Sequence, residues 1–252
     1  MEIEYNKKRV VSGFFWRFME RIGAQGVKFI VELVLARILF PEDYGAIALV
    51  TVFINILNVF VDSGLGNSLI QKKNADQLDF STVFWFNITF CIVLYGLLFF
   101  AAPFVGGFYN RPELIPVLRV LGLQLIVSGI KNIQQAYVSK TMQFKRFFFA
   151  TLGGTIGAAG VGIWMAYHGY GVWALVAQQL FNVTVDTIIL WLTVKWHPSF
   201  VFSIERLKGL FSYGWKLLVS SLIDKTYNDL RQLIIGKKYS SSDLAQYNRG
   251  KQ

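Results

Sequence analysis

Apolar residues fill seven long windows of the chain, at about 13–39, 44–69, 82–104, 116–138, 147–168, 171–195 and 210–236, with short polar turns between them. A helix rising about 1.5 Å per residue crosses the hydrocarbon of a bilayer in roughly 20 residues, so each window is long enough to span one. Pro41, Pro103, Pro112, Pro116 and Pro198 fall at or near window ends, where a missing N–H and a fixed φ cost a helix least. The pattern predicts an all-α, polytopic membrane protein. Its organisation reads as a short N-terminal segment over 1–12, a six-helix lobe over 13–196 and a linker over 197–209. The first helix and following loop of an incomplete second lobe would occupy 210–252.

The first window differs from the others in the charges it carries. On a helix, Arg17, Arg21, Lys28 and Glu32 follow one another at steps of four, seven and four, with Gln25 beside them and Glu20 one position off the stripe. A charge at mid-bilayer costs about 3 kcal/mol on insertion scales, so this face is expected to look into a polar path through the bundle. The seventh window echoes the first. Aligning Trp16 with Trp215 sets Arg17, Arg21, Gln25, Lys28 and Glu32 against Lys216, Ser220, Asp224, Tyr227 and Arg231. The seventh window lies six steps after the first, so both should run in the same direction, as in two lobes related by an axis along the membrane normal.

Three shorter features refine the picture. Asp62-Ser63-Gly64-Leu65-Gly66 weakens the second helix, because glycine lowers helix propensity and Asp competes for local backbone groups, so a break or kink is expected there. The fifth window holds Gly153, Gly154, Gly157, Gly160 and Gly162. Without a preceding strand or a Gly-Lys-Ser/Thr ending, these glycines read as a close helix contact rather than a phosphate loop. Ser203 to Leu210 mixes Ile204, Leu207 and Leu210 with Glu205, Arg206 and Lys208, a composition suited to the membrane interface.

Composition agrees with a membrane protein: 54% of the 252 residues are hydrophobic, and only 16% are charged where soluble domains carry about 25%. The net charge of +10 does not point to nucleic acid, because the cations come in short groups between apolar windows rather than on one basic face. Lys7, Lys8, Arg9, Lys72, Lys73, Lys140, Lys145, Arg146, Lys195, Arg206 and Lys208 share one predicted side, against Arg37, Arg111 and Arg119 on the other; Lys237 and Lys238 run against the trend. The bias places the N-terminus in the cytoplasm. The start resembles a signal peptide only superficially and is expected to stay attached. Cys91, the single cysteine, allows no intrachain disulfide and reads as packing.

No catalytic constellation stands out. His168 and His197 fall on opposite sides without a nearby acid or cysteine at ligand spacing, and no cofactor or metal is implied. Within the windows, Arg21, Lys28 and Lys131, with Arg17 nearer an end, are the candidates for a cationic cavity, and a cationic cavity suits an anionic cargo such as phosphate. Glu20, Glu32, Asp62 and Asp186 either couple H+ or Na+ to that cargo or neutralise the neighbouring bases; both readings stay open.

The run Leu35-Ala36-Arg37-Ile38-Leu39-Phe40-Pro41-Glu42-Asp43-Tyr44-Gly45 is followed by Asp62-Ser63-Gly64-Leu65-Gly66, Leu69-Ile70-Gln71 and Ser81-Thr82-Val83-Phe84-Trp85. Together they resemble the start of bacterial polysaccharide flippases, the Wzx-like lipopolysaccharide and exopolysaccharide exporters that include colanic-acid and teichuronic-acid exporters, within the multidrug/oligosaccharidyl-lipid/polysaccharide superfamily. The resemblance implies a multi-pass protein of the bacterial plasma (inner) membrane that flips an undecaprenyl-diphosphate-linked oligosaccharide by alternating access between two six-helix lobes. It points to Arg21 and Lys28, then Arg17, as cavity cations, and to membrane lipids, a second lobe or polysaccharide-assembly machinery as partners. The competing expectations are an ion-coupled drug antiporter, a membrane glycosyltransferase or polymerase, and a half-protein that packs with a partner without transporting.

Overall fold

The computed structural model describes residues 7–62, 64–239 and 243; the outer ends of the 1–12 and 210–252 segments lie outside them. The described chain forms eight helices: α1 (Lys7–Ile38), α2 (Pro41–Asp62), α3 (Leu65–Gln71), α4 (Gln77–Tyr109), α5 (Leu114–Lys140), α6 (Lys145–Tyr167), α7 (Val172–Thr193) and α8 (Ile204–Lys238). No strand occurs among the described residues. Five helical stretches, counting α2 and α3 as one, are long and apolar enough to cross a bilayer; α1 and α8 are longer than most but too charged to qualify on composition. The fold is all-α and polytopic.

α4 and α8 run past their predicted windows because their ends are capped by polar residues that hydropathy does not score. At the start of α4, the Asp76 carboxylate accepts from the Asp79 backbone N–H at 2.9 Å, and Asp79 returns the bond from Asp76 N at 3.2 Å, a reciprocal capping box. Asn110 ends the same helix in the left-handed region at φ 55°. Pro103 lies inside α4, six residues short of its end, and α4 continues through it. Ser203 caps α8 by accepting from Arg206 N, so the stretch expected at the interface is the opening of α8 itself, which begins at Ile204 rather than 210. The expected break between Asp62 and Gly66 divides α2 from α3, with Gly64 outside helical geometry.

With α2 and α3 taken as one span, successive spans reverse direction. One end of the bundle gathers the α3–α4 turn, the end of α5 and the start of α8, where Lys140 Nζ donates to the Lys72 carbonyl and Gln77 Nε2 donates to the His197 carbonyl at 2.8 Å. The other end brings Asp43 against Gly171 and Lys237 onto Phe108, its ammonium 4.1 Å from the ring centre. α8 therefore runs in the same direction as α1, as the echo between them requires.

Packing follows the small residues. α6 lies along α7 through Gly153, Gly154, Gly157 and Gly162; a Cβ on Gly154 would sit 3.0 Å from the Asn182 carbonyl, and one on Gly157 would sit 2.7 Å from the Phe181 ring. α4 meets α5 where a Cβ on Gly129 would lie 2.6 Å from the buried Cys91 Sγ. α1 packs on α6 through Gly13 against Phe144, Trp16 against Phe148 and Phe149, and Glu20 against Thr151. Phe100, Phe104 and Leu192 are among the large apolar side chains left facing outward, the inverse of a soluble protein and the surface a lipid solvent wants.

Candidate functional site

Polar side chains that the sequence scatters over five helices come together inside the bundle. α1, α2, α5, α6 and α7 surround a cavity of about 650 Å3. Three of them contribute a polar row at helical spacing: Tyr44, Thr51 and Asn58 from α2, Gln124, Ser128, Lys131 and Gln135 from α5, and Gln178 and Asn182 from α7. At 1.5 Å per residue the α2 row is about 21 Å long, so the cavity is a furrow along the bundle axis rather than a round pocket. A smaller cavity of about 190 Å3, lined by Arg17 among others, adjoins it and shares Gln135.

The stripe on α1 is divided by this arrangement. Lys28 and Glu32 line the large chamber, and Arg17 lines the small one. Arg17 is also held: its guanidinium lies 2.8 Å from the Glu20 carboxylate and 4.4 Å from the centre of the Phe147 ring. Glu20, 9% exposed, takes a second bond from Thr151 Oγ1 at 3.1 Å and so ties α1 to α6. Arg21 is exposed and lines neither cavity. Arg21 and Lys28 are both exposed, and of the two Lys28 alone lines the large chamber.

The cations that line the chamber stand close to carboxylates. Lys131 Nζ lies 3.0 Å from Asp186 Oδ2, with side chains 18% and 9% exposed, so its charge is answered within the bundle. Lys28 and Glu32 stand one turn apart on α1, each in the field of the other. The chamber is close to neutral, and most of its polar lining is amide and hydroxyl. Sequence reading missed those groups because single Asn, Gln, Thr and Ser residues within apolar windows carry no motif; the seven-residue steps from Tyr44 to Asn58 were the available signal. The side chain of Asp62 lies outside the described residues, as does that of Arg231 in the echo of the stripe.

A second constellation sits at the end where α8 begins. Asp79, fully buried, receives Lys72 Nζ at 2.7 Å on both oxygens and Arg206 at 3.5 Å, and Arg206 also reaches Asp76 at 3.5 Å. The Asp79 N–H donated to Asp76, helped by the Arg206 charge, holds the Asp76 carboxyl below its ordinary range. A cavity of about 520 Å3 opens beside this cluster between α3 and α8. Gly214 of α8 packs directly on the α2–α3 break, where a Cβ would lie 2.9 Å from both the Gly64 carbonyl and Ser68 Oγ. No group of His, Cys, Asp and Glu among the described residues is arranged to hold a metal ion.

Residues 34–252 match the family model described as polysaccharide biosynthesis protein. The chain belongs to this polysaccharide biosynthesis family. It is 25% identical over 244 residues to the succinoglycan biosynthesis transport protein ExoT of Rhizobium meliloti (strain 1021), covering 96% of this chain and 49% of that protein. It is 28% identical over 200 residues to the teichuronic acid biosynthesis protein TuaB of Bacillus subtilis (strain 168), covering 79% and 41%. To the lipopolysaccharide biosynthesis protein WzxC of Escherichia coli (strain K12) it is 22% identical over 244 residues, covering 96% and 50%. The chain thus spans about half the length of the curated relatives it matches. No solved structure gives a significant match.

Proposed function

We propose that this chain is the first lobe, with the opening helix of the second, of a carrier that moves polysaccharide precursors across the bacterial plasma membrane. The cargo is an undecaprenyl-diphosphate-linked oligosaccharide, passed from the cytoplasmic to the outer leaflet as two lobes rock about it, with the N-terminus in the cytoplasm. The observation that carries this reading is a polar furrow running lengthwise through a lobe jacketed in apolar side chains. Family membership supports it, as does the succinoglycan transport protein among the relatives. The cations gathered at the end where α8 begins support the orientation.

In this reading the diphosphate is met by the α1 stripe, where Arg21 has no ion-pair partner among the described residues and Lys28 stands at the mouth of the chamber. Among Glu20, Glu32 and Asp186, only Glu32 lines the chamber, so it is the acid placed to exchange H+ or Na+ with it. Family membership favours this reading over a drug antiporter.

The test is flipping of labelled lipid-linked oligosaccharide in proteoliposomes, using the protein over the full length of its relatives. Replacing Arg21 and Lys28 together by alanine should slow flipping by at least about tenfold, since each charge-assisted contact contributes roughly 1.5–3 kcal/mol. Unchanged rates would remove the stripe from the mechanism.

A further inference from the structure

We propose that the cavity between α3 and the opening of α8 holds the headgroup of a zwitterionic phospholipid, one that carries a phosphate and a primary ammonium. Such a site is separate from the polar chamber and takes a membrane lipid rather than the cargo.

Two helix faces make its walls. The end of α3 supplies Ser68, Gln71 and Lys72, and the first turns of α8 supply Glu205, Arg206 and Gly209. A Cβ on Gly209 would meet nothing within 4 Å, so the wall is open where the glycine stands. At about 520 Å3 the space falls in the range of small-ligand sites, roughly 300–1,000 Å3.

The two cations in the walls keep donors to give. Lys72 Nζ lies 2.7 Å from each oxygen of Asp79, and an ammonium has three hydrogens, so one remains. Arg206 stands 3.5 Å from both Asp76 and Asp79, longer than the roughly 2.7–2.9 Å of a charge-assisted bond, with its side chain 41% exposed. Its planar fork is therefore available to a phosphate.

Charge selects the headgroup. Lys72, Arg206 and Lys140, whose ammonium donates to the Lys72 carbonyl, are matched in number by Asp76, Asp79 and Glu205. Lys73 and Lys208 are exposed and line no part of the cavity. Glu205 does line it, is exposed, and has no ion-pair partner among the described residues. A balanced site gains little from a purely anionic headgroup. A zwitterion gains at both ends, with phosphate toward Lys72 and Arg206 and ammonium toward Glu205.

The level in the membrane fits a headgroup. The cavity lies where the apolar stretch of residues 41–71 ends, the depth at which hydrocarbon gives way to polar lipid. Aromatic rings mark the same depth, with Trp85 stacked on Phe200 at 5.1 Å and Phe200 itself 92% exposed. Ile204 and Phe211 of α8 are exposed as well, an apolar surface that acyl chains can follow.

The test uses the protein over the full length of its relatives, stripped of lipid in detergent and titrated with phosphatidylethanolamine, phosphatidylglycerol or undecaprenyl diphosphate. Native mass spectrometry counts the bound lipid. Phosphatidylethanolamine should bind about fivefold tighter than phosphatidylglycerol, the scale of one exposed ion pair. Glu205→Gln should bring the two to equal affinity. Gly209→Phe fills the cavity from a position where a Cβ meets nothing and where glycine is a poor helix former, so the fold should melt as before in lipid-free detergent. It should lower phosphatidylethanolamine binding by at least about tenfold, the loss of one charge-assisted contact. Equal binding of the two phospholipids by the unaltered protein, or phosphatidylethanolamine binding that survives Gly209→Phe, overturns the assignment. If Gly209→Phe fails to fold, Glu205→Gln decides alone, and an unchanged preference overturns it. Displacement of phosphatidylethanolamine by undecaprenyl diphosphate would give the cavity to the cargo headgroup and overturns it too. None of these readouts requires flipping, so the transport reading stands or falls separately.

Discussion

Lys131→Met isolates what the ion pair inside the lobe contributes. The ammonium sits 3.0 Å from Asp186 Oδ2, and Asp186 Oδ1 has no hydrogen-bond partner, so the substitution leaves a carboxylate that is 9% exposed with neither oxygen bonded. Stranding one partner of a buried pair costs about 3–5 kcal/mol. At roughly 2–4 °C per kcal/mol for a chain of this size, the unfolding midpoint should fall by about 10 °C. Lys131→Met combined with Asp186→Leu removes both charges, and replacing a buried pair by apolar groups is close to neutral, so the double variant should return to within about 1 kcal/mol of the parent. Thermal unfolding in nanodiscs, followed by tryptophan fluorescence, compares the parent with the single and the double variant. The reasoning fails if the single variant melts with the parent, or if the double variant melts with the single. Flipping adds a functional arm: a double variant that is stable and active fixes Lys131 as a clamp between α5 and α7, whereas one that is stable and inactive would place Lys131 on the cargo.

The cluster at the start of α8 supplies two further expectations. Asp79→Ala removes a fully buried carboxylate that holds Lys72 and half of a capping box, leaving Lys72 and Arg206 partly exposed to water, and should destabilise the protein by about 1–3 kcal/mol, with Asp79→Asn losing less because it keeps part of the cap; thermal unfolding checks both. Asp76 has a folded-state pKa below its unfolded value near 3.9, so its contribution is present above that value and is lost as pH falls through the lower folded one. Melting temperature should therefore hold between pH 5 and 8 and decline below about pH 4, with a shallower acid limb in Asp76→Asn.

Much of this protein was legible in the residue order. Seven apolar windows of spanning length require helices, because a backbone surrounded by hydrocarbon has to satisfy its hydrogen bonds within one segment. The glycines of 153–162 require a close neighbour, and α7 lies there. The glycines at 64 and 66 mark the break between α2 and α3. Periodicity alone also placed Arg17, Lys28 and Glu32 on one stripe, and each lines a cavity.

Only the tertiary structure decided how those charges are used. Lys131 and Asp186 lie 55 residues apart, and nothing local reveals that the α5 ammonium meets the α7 carboxylate. The same holds for Asp79 and Arg206, 127 residues apart. A helical wheel gives the angle of a side chain about its own axis but not what stands opposite, so it could not tell that Arg21 falls outside the chamber while Lys28 lines it. Nor could it show that isolated amides on α2, α5 and α7 converge. Local sequence sets which face of each helix is polar; helix against helix sets whether that polarity is spent on a neighbour or kept for a ligand.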